Sequence, residues 1–325
     1  MKALICNAYS GLENLVFDEV EPPALAPDAV RIAIKAASIN PPDVLMPQGK
    51  YQVKPPLPFV PGVEGMGTVL EVGAQVADLA PGERVMTYAG VGCFAEQAVV
   101  PRVRVERVPQ GMDDTAAAGF VLVYSTAYHG LADCGRLAAG ETLVVLGASG
   151  GIGLCAIQIA KAIGATVVAA ASTPEKLAKC AANGADHLID VSSENVTEAI
   201  RRITGGRGAD VILDVVGGGM TEDALRAIAP YGRYLIAGYA SGVIPLIKGN
   251  LVLLKQAQVI GVSYRLFLER TPERAAANLR RLCEFFEAGK LHPEVTAVFP
   301  FERTVDALRE VGERRAIGKV AVQIG

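Results

Sequence analysis

The apolar run Leu143-Val144-Val145-Leu146 passes without a break into Gly147-Ala148-Ser149-Gly150-Gly151-Ile152-Gly153. A short continuous apolar run is the pattern of a strand buried on both faces, and the glycines behind it read as a tight turn into a helix. Gly150 lets the backbone approach phosphate oxygens that a side chain would push away, and Gly153 allows close helix-to-strand packing. The helix that follows begins with unsatisfied N–H groups and a partial positive charge, so a diphosphate placed there gains hydrogen bonds and field together. Ser149, Gly150, Gly151, Ile152 and Gly153 are therefore the first candidate contacts for a nucleotide cofactor. Glycines also serve steric needs in such turns, so the surroundings carry weight. A helix pattern runs to Ile163, Gly164 stops it, and a second strand is expected over Thr166 to Ala171, completing a strand-helix-strand unit.

Further strands are expected over Ala185 to Asp190, Ala209 to Val216, Arg233 to Ala237 and Gln258 to Val262. That makes six strands of a doubly wound parallel sheet, the fold class α/β of a Rossmann domain, over residues 123–263. Residues 1–122 have a different texture. Alternation at Val30, Ile32 and Ile34, and candidate strands Met1 to Cys6, Gly67 to Val72 and Glu83 to Tyr88, are punctuated by Pro and Gly, as in a β-rich barrel. In residues 264–325, Thr271-Pro272-Glu273 opens a helix with Leu279, Leu282, Cys283 and Phe286 on one face and Gly289 at its end. The remaining strand, helix and strand are too little for a domain and are expected to rejoin the N-terminal part. A ligand pocket is expected in a cleft between two lobes.

At 325 residues the chain exceeds one hydrophobic core, and 51% apolar with 20% charged residues is ordinary for a globular protein. A net charge of −3 gives no electrostatic case for nucleic acid or an acidic membrane. No apolar stretch reads as a membrane span and the N-terminal residues do not read as a signal peptide, so a cytoplasmic location is expected. The six cysteines at 6, 93, 134, 155, 180 and 283 form no close pair, and His129, His187 and His292 have no second ligand at metal-binding spacing. No bound metal is expected.

At the end of the second strand, where a carboxylate would favour NADH, the chain has Ala171. Ser172, Thr173, Pro174, Glu175 and Lys176 follow, supplying hydroxyls, a helix start and a cation that suit a 2'-phosphate and hence NADPH. The same residues also describe an ordinary helix start, with Thr173 as N-cap and Pro174 at N1.

The stretches ASINPPDV with MPQGKY, PFVPGVEGMGTVLEVG, GASGGIG, GGRGADVILDVVGG and IGKVAV together resemble, over the whole chain, the zinc-independent quinone oxidoreductase (zeta-crystallin-like) branch of the medium-chain dehydrogenase/reductase superfamily. The resemblance implies a GroES-like catalytic domain beside the Rossmann domain, NADPH as hydride donor, and a homodimer built through the Rossmann sheets. Asn40 and Val63 stand where the zinc-dependent alcohol dehydrogenases of that superfamily have metal ligands, with Leu122 near the third, and only Cys93 stands in the structural-zinc loop. A bare alkoxide is hard to stabilise without a Lewis acid, whereas a quinone or enone spreads the charge it receives. By resemblance Asn40 and Tyr51 line the nicotinamide pocket, Tyr51 as a proton donor. Tyr51 also reads as a loop residue packed on Pro55 and Pro56, Asn40 as a turn residue before Pro41, and Asp43 as the cap of a short helical turn. Thr126, Val216, Ala237, Gly238, Tyr239 and Lys319 are implied cofactor contacts, although Val216 and Ala237 equally suit a core and Gly217 to Gly219 a plain turn. Tyr264 reads as pocket closure or packing. The implied activity is reduction of a quinone or related conjugated carbonyl. Reduction of an enoyl thioester or acrylate-type double bond, and a crystallin-like binding role, stay open beside it.

Overall fold

The computed structural model describes residues 1–325. The chain forms two compact units, one of residues 1–122 with 293–325, the other of residues 123–292.

The second unit is a six-stranded sheet in the order His187–Asp190, Thr166–Ala171, Thr142–Leu146, Ala209–Asp214, Ile228–Ile236, Gln258–Gly261, parallel throughout. The order reverses between Thr142–Leu146 and Ala209–Asp214, and ligands of such sheets bind at the carboxyl ends flanking that point. Thr142–Leu146 is buried at every residue, as its unbroken apolar run requires. The helix Gly151–Ile163 buries Leu154, Ile157 and Ile159, and Gly164, at φ +96°, ends it in the left-handed region. Below the sheet, Val196, Ala199 and Ile200 of the helix Val196–Ile203 close a core with Val144, Ile212 and Ile228.

Several expected boundaries shift, each for a local reason. The strand read as Ala209 to Val216 ends at Asp214, because the Asp214 carboxylate takes the N–H groups of Val216 and Gly217 that a ladder would use. The fifth strand starts earlier than Arg233, at Ile228, and runs through exposed Tyr231 at φ +62°. In the helix Pro272–Glu287, Phe285 rather than Phe286 is buried beside Leu279 and Leu282. Thr271 stands at the N-cap of that helix, as the sequence pattern predicts, but its hydroxyl donates to the Phe267 carbonyl and makes no cap hydrogen bond. The helices Tyr264–Arg270 and Pro272–Glu287 group with this unit, and the chain leaves it after His292.

In the first unit a seven-stranded sheet runs Val295–Pro300, Lys319–Gln323, Ala29–Ile39, Glu64–Val72, Arg84–Tyr88, Val105–Arg107, with Gln97–Pro101 also paired to Ala29–Ile39. The long strand Ala29–Ile39 serves three partners by bending, with register shifts after Arg31 and after Ile34. The last strand joins antiparallel to its C-terminal half, Val320 opposite Ile39. Lys319 thereby lies at the end of Ala29–Ile39, next to Asn40.

At Gly153 in the glycine turn an added Cβ would lie 2.6 Å from the backbone carbonyl oxygens of Gly147 and Ala148. Gly153→Ala is expected to destabilise the protein by about 1–3 kcal/mol through this overpacking. Thermal unfolding of the variant beside wild type checks it.

Candidate active site

In the dinucleotide-type unit the strand Thr142–Leu146 ends in Gly147 at φ +73°, a conformation that favours glycine. Ala148 keeps out of that region and donates its N–H to the Ala170 carbonyl. Gly150 is the N-cap of Gly151–Ile163 and no side chain caps the helix, so its first N–H groups face outward with no protein acceptor competing for them. A Cβ at Gly150 would meet only the Gly147 oxygen, at 3.5 Å. The space a phosphate oxygen needs is thus present, with Ser149 buried beside it and Ile152 half-buried.

At the end of the neighbouring strand Thr166–Ala171, Thr173 caps the helix Pro174–Ala182 by accepting from the Lys176 N–H, with Pro174 in the first turn. Ser172 is exposed, and the Lys176 ammonium forms no ion pair within the chain. The acid of that region, Asp190, sits opposite Ala171 on the next strand, where hydrogen bonds from Ser192 hold its carboxyl below the usual range. On the other side of the switch point Val216, Ala237 and Gly238 are half-buried and Tyr239 is exposed. Asp214 holds Val216 and Ala237. Its Oδ1 accepts from the N–H groups of Val216 and Gly217 at 2.8 Å each, its Oδ2 from Thr221 and Tyr234 hydroxyls at 2.8 and 2.7 Å, and its carbonyl from the Ala237 N–H. Burial and the nearby Asp214 charge push the Tyr234 phenol up, so it stays a donor. Thr126 is buried on the helix Val121–Tyr128, and Tyr264 is buried at the start of its helix.

The GroES-type unit holds a buried polar cluster of Ser38, Asn40, Asp43, Glu64 and Lys319. Glu64 Oε1 accepts from the Ser38 hydroxyl at 2.5 Å, from Asn40 Nδ2 at 2.9 Å and from Lys319 Nζ at 2.9 Å, while Oε2 accepts from the Leu122 N–H at 2.8 Å. Lys319 also donates to Asn40 Oδ1 at 2.8 Å and to the Ile39 carbonyl at 3.3 Å. An ammonium has three protons, and all three are used here. Lys319, expected as a cofactor contact, is held here as an internal cation.

Asn40 belongs to the same cluster. Its amide hydrogens go to Glu64 and Ser38, and its oxygen takes Lys319, so it has no N–H to offer a substrate oxygen. Asp43 closes the turn Pro41–Leu45 by accepting from the Asn40 N–H at 2.9 Å, and braces the next loop through the N–H groups of Gly62 and Val63. Burial pushes its carboxyl up to about 7, against those N–H donors and the Lys319 charge. Tyr51 is half-buried on the loop after this turn, a loop pinned by the Tyr9 hydroxyl on the Pro55 carbonyl.

Residues 26–110 match the alcohol dehydrogenase GroES-like domain family and residues 151–281 the zinc-binding dehydrogenase family. A quinone oxidoreductase-like protein 2 homolog of Nematostella vectensis is 35% identical over 323 residues, 99% of this chain and 88% of that protein. The chain belongs to the quinone oxidoreductase branch of the medium-chain dehydrogenase/reductase superfamily. A probable oxidoreductase from Mycobacterium abscessus superposes with a TM-score of 0.91 at 34% identity, covering 100% of this chain and 99% of that one. Escherichia coli quinone oxidoreductase complexed with NADPH superposes with a TM-score of 0.92 at 25% identity, covering 100% of each chain.

The zinc in the name of one matching family does not fit this member of the branch. Asn40, Val63 and Leu122 offer no thiolate or imidazole, and Glu64 is committed to an ammonium. No group of three His, Cys, Asp or Glu side chains is placed to hold a metal ion. Two features of this oxidoreductase escaped the sequence reading. Asp214 looked like an ordinary strand residue, and nothing in its neighbours marks it as a buried acceptor of four hydrogen bonds. His129 and Cys134 stand at none of the metal-ligand spacings and do not read as a pair, yet Nε2 and Sγ are 3.5 Å apart.

Removing the cation of a buried ion pair strands its partner's charge. Lys319→Met is expected to cost about 3–5 kcal/mol, and Lys319→Met with Glu64→Gln appreciably less than the sum of the single changes. Denaturant unfolding of the two single variants and the double variant checks this.

Proposed function

We propose that the protein transfers hydride from NADPH to a quinone or a related conjugated carbonyl without zinc. The observation that carries the reading is the Lys319–Glu64–Asn40 cluster: Asn40, which by resemblance stands at a zinc-ligand position of the zinc-dependent members, is bonded to an internal cation and its carboxylate partner. With no Lewis acid to hold an alkoxide, the acceptor must spread the incoming negative charge itself, and conjugated carbonyls do so. The names of the relatives support the same choice of acceptor.

NADPH, when bound, supplies the hydride. The chain's part is to bind and orient it: the open turn at Gly150 and the uncapped helix start at Gly151 suit the diphosphate, with Ser149, Ile152 and Gly153 shaping the turn. Ser172 and the unpaired Lys176 suit the 2'-phosphate. Thr126, Val216, Ala237, Gly238 and Tyr239 complete the cofactor contacts, and Asp214 fixes the loop that holds Val216. Tyr51 is the proton donor to the reduced acceptor, and Asn40 and Asp43 position the loop that carries it. A second copy covers the exposed side chains of Val243, Ile244, Leu246, Leu253 and Leu254 and the edge strand Gln258–Gly261, making a homodimer. No helix is long and apolar enough to cross a membrane, and we place the enzyme in the cytoplasm.

NADPH oxidation, followed by absorbance with chelator-treated protein, is expected with ortho- and para-quinones, and no NADP+ reduction is expected with a simple alcohol. Turnover confined to crotonyl-CoA would make the protein an enoyl-thioester reductase, and NADPH binding without turnover on any acceptor would leave a binding protein. Lys176→Ala is expected to weaken NADPH binding by about 1–3 kcal/mol, as for a charge-assisted contact, while NADH binding stays within a factor of two. An unchanged preference between the two nucleotides would remove Lys176 from the 2'-phosphate site.

A further inference from the structure

The helix Val121–Tyr128 runs directly into a wider turn, His129–Cys134, closed by an i→i+5 hydrogen bond from the Gly135 N–H to the Gly130 carbonyl at 2.7 Å. In a regular α-helix, at 3.6 residues per turn, side chains five apart point to different sides. The extra residue in this turn brings them together, and such turns occur frequently at functional sites. His129 Nε2 lies 3.5 Å from Cys134 Sγ, and His129 Nδ1 lies 2.9 Å from Asp133 Oδ2. Nucleophile, base and orienting carboxylate therefore stand in sequence, the arrangement that activates a weak nucleophile.

The roles follow from which groups donate. Burial pushes the Asp133 carboxyl up, but hydrogen bonds from His129, Asn278 and Arg274 outweigh it and hold it below the ordinary carboxylate range. The Arg274 guanidinium donates to Oδ1 at 2.9 Å and Asn278 to Oδ2 at 2.7 Å. An ionised carboxylate only accepts, so the Nδ1 facing it carries a proton, and in the neutral form of the ring Nε2 presents a lone pair to the thiol. Phe267 fixes the plane of the ring by stacking on it, centroids 3.8 Å apart at 14°. Burial pushes the Cys134 thiol up, so at rest it keeps its proton and its reactivity depends on the base beside it.

We propose that Cys134 is a modification site for soft conjugated electrophiles, with His129 as the base that takes its proton and Asp133 as the residue that orients the ring. In the step, the S–H bond breaks toward Nε2 and a C–S bond forms at the β-carbon of the acceptor. The electron pair of the C=C bond moves to the α-carbon and carbonyl as an enolate. The imidazolium then returns the proton to the α-carbon. The product is a thioether, the base is regenerated, and no oxidant or reductant is consumed. The step does not depend on which acceptor the enzyme reduces.

The test uses N-ethylmaleimide on the full chain, with alkylation at each cysteine timed by peptide mass mapping. Cys6, Cys93, Cys155 and Cys180 are buried, and Cys283, the other partly exposed thiol, is the internal comparison. Cys134 is expected to react at least about tenfold faster than Cys283 and than glutathione under the same conditions, as base assistance predicts. His129→Gln is expected to remove that advantage while thermal unfolding and NADPH affinity stay close to wild type. A Cys134 rate no higher than that of glutathione overturns the proposal, as does an unchanged rate in a folded His129→Gln protein. If that variant does not fold, the wild-type comparison with glutathione decides alone.

Discussion

The Lys319 ammonium enclosed by Glu64, Asn40 and the Ile39 carbonyl is the constraint around which the GroES-type unit is arranged. A buried charge is tolerated only when it is paired and its hydrogen bonds are met, and here each proton of the ammonium has an acceptor. One ion pair ties together the ends of three chain segments: the exit of Ala29–Ile39, the start of Glu64–Val72 and the start of Lys319–Gln323. Asn40 is oriented from both ends of its amide, so its rotamer and the direction in which the turn Pro41–Leu45 leaves the sheet are set together. Asp43 carries that order on to Gly62 and Val63. What such a cluster contributes is definition of geometry more than net stability, since desolvation offsets much of the attraction.

A second buried carboxylate does comparable work in the other unit. Asp214 collects two backbone and two side-chain donors and stops its strand where the nucleotide loop begins. Both units thus use the same physical device: an acid at a strand terminus, away from water, whose acceptor capacity fixes the chain segments around it. Loops held in this way can present a backbone surface to a ligand without reorganising on binding.

The six-stranded order and the glycine turn were legible because they rest on local pattern: an unbroken apolar run, glycines at fixed offsets and a 3.6-residue helix period. Thr166–Ala171 and Gly164 were read to the residue for that reason. The boundaries at Asp214 and Ile228 were not, because they depend on where a side chain finds its hydrogen-bond donors. The resemblance brought Asn40, Tyr51 and Lys319 forward as site residues, but only the structure shows that Asn40 and Lys319 are bonded to each other and to Glu64. The pairing of His129 with Cys134 was invisible to any argument that assumes regular helical spacing.

The ion pair between Lys319 and Glu64 joins residues 255 positions apart, and this orders events during synthesis. The nucleotide-type unit is one continuous segment, residues 123–292, so all its strands exist in the nascent chain before Lys319 is made. The earlier strands of the other unit emerge first yet lack the cation that neutralises Glu64 and the strand that covers the edge of Ala29–Ile39. They wait, with an acid to bury and an open edge, while the later-made unit closes. The order of completion is therefore the reverse of the order of translation, and the exposed interval is the one in which such a chain is most open to chaperones and to misassembly.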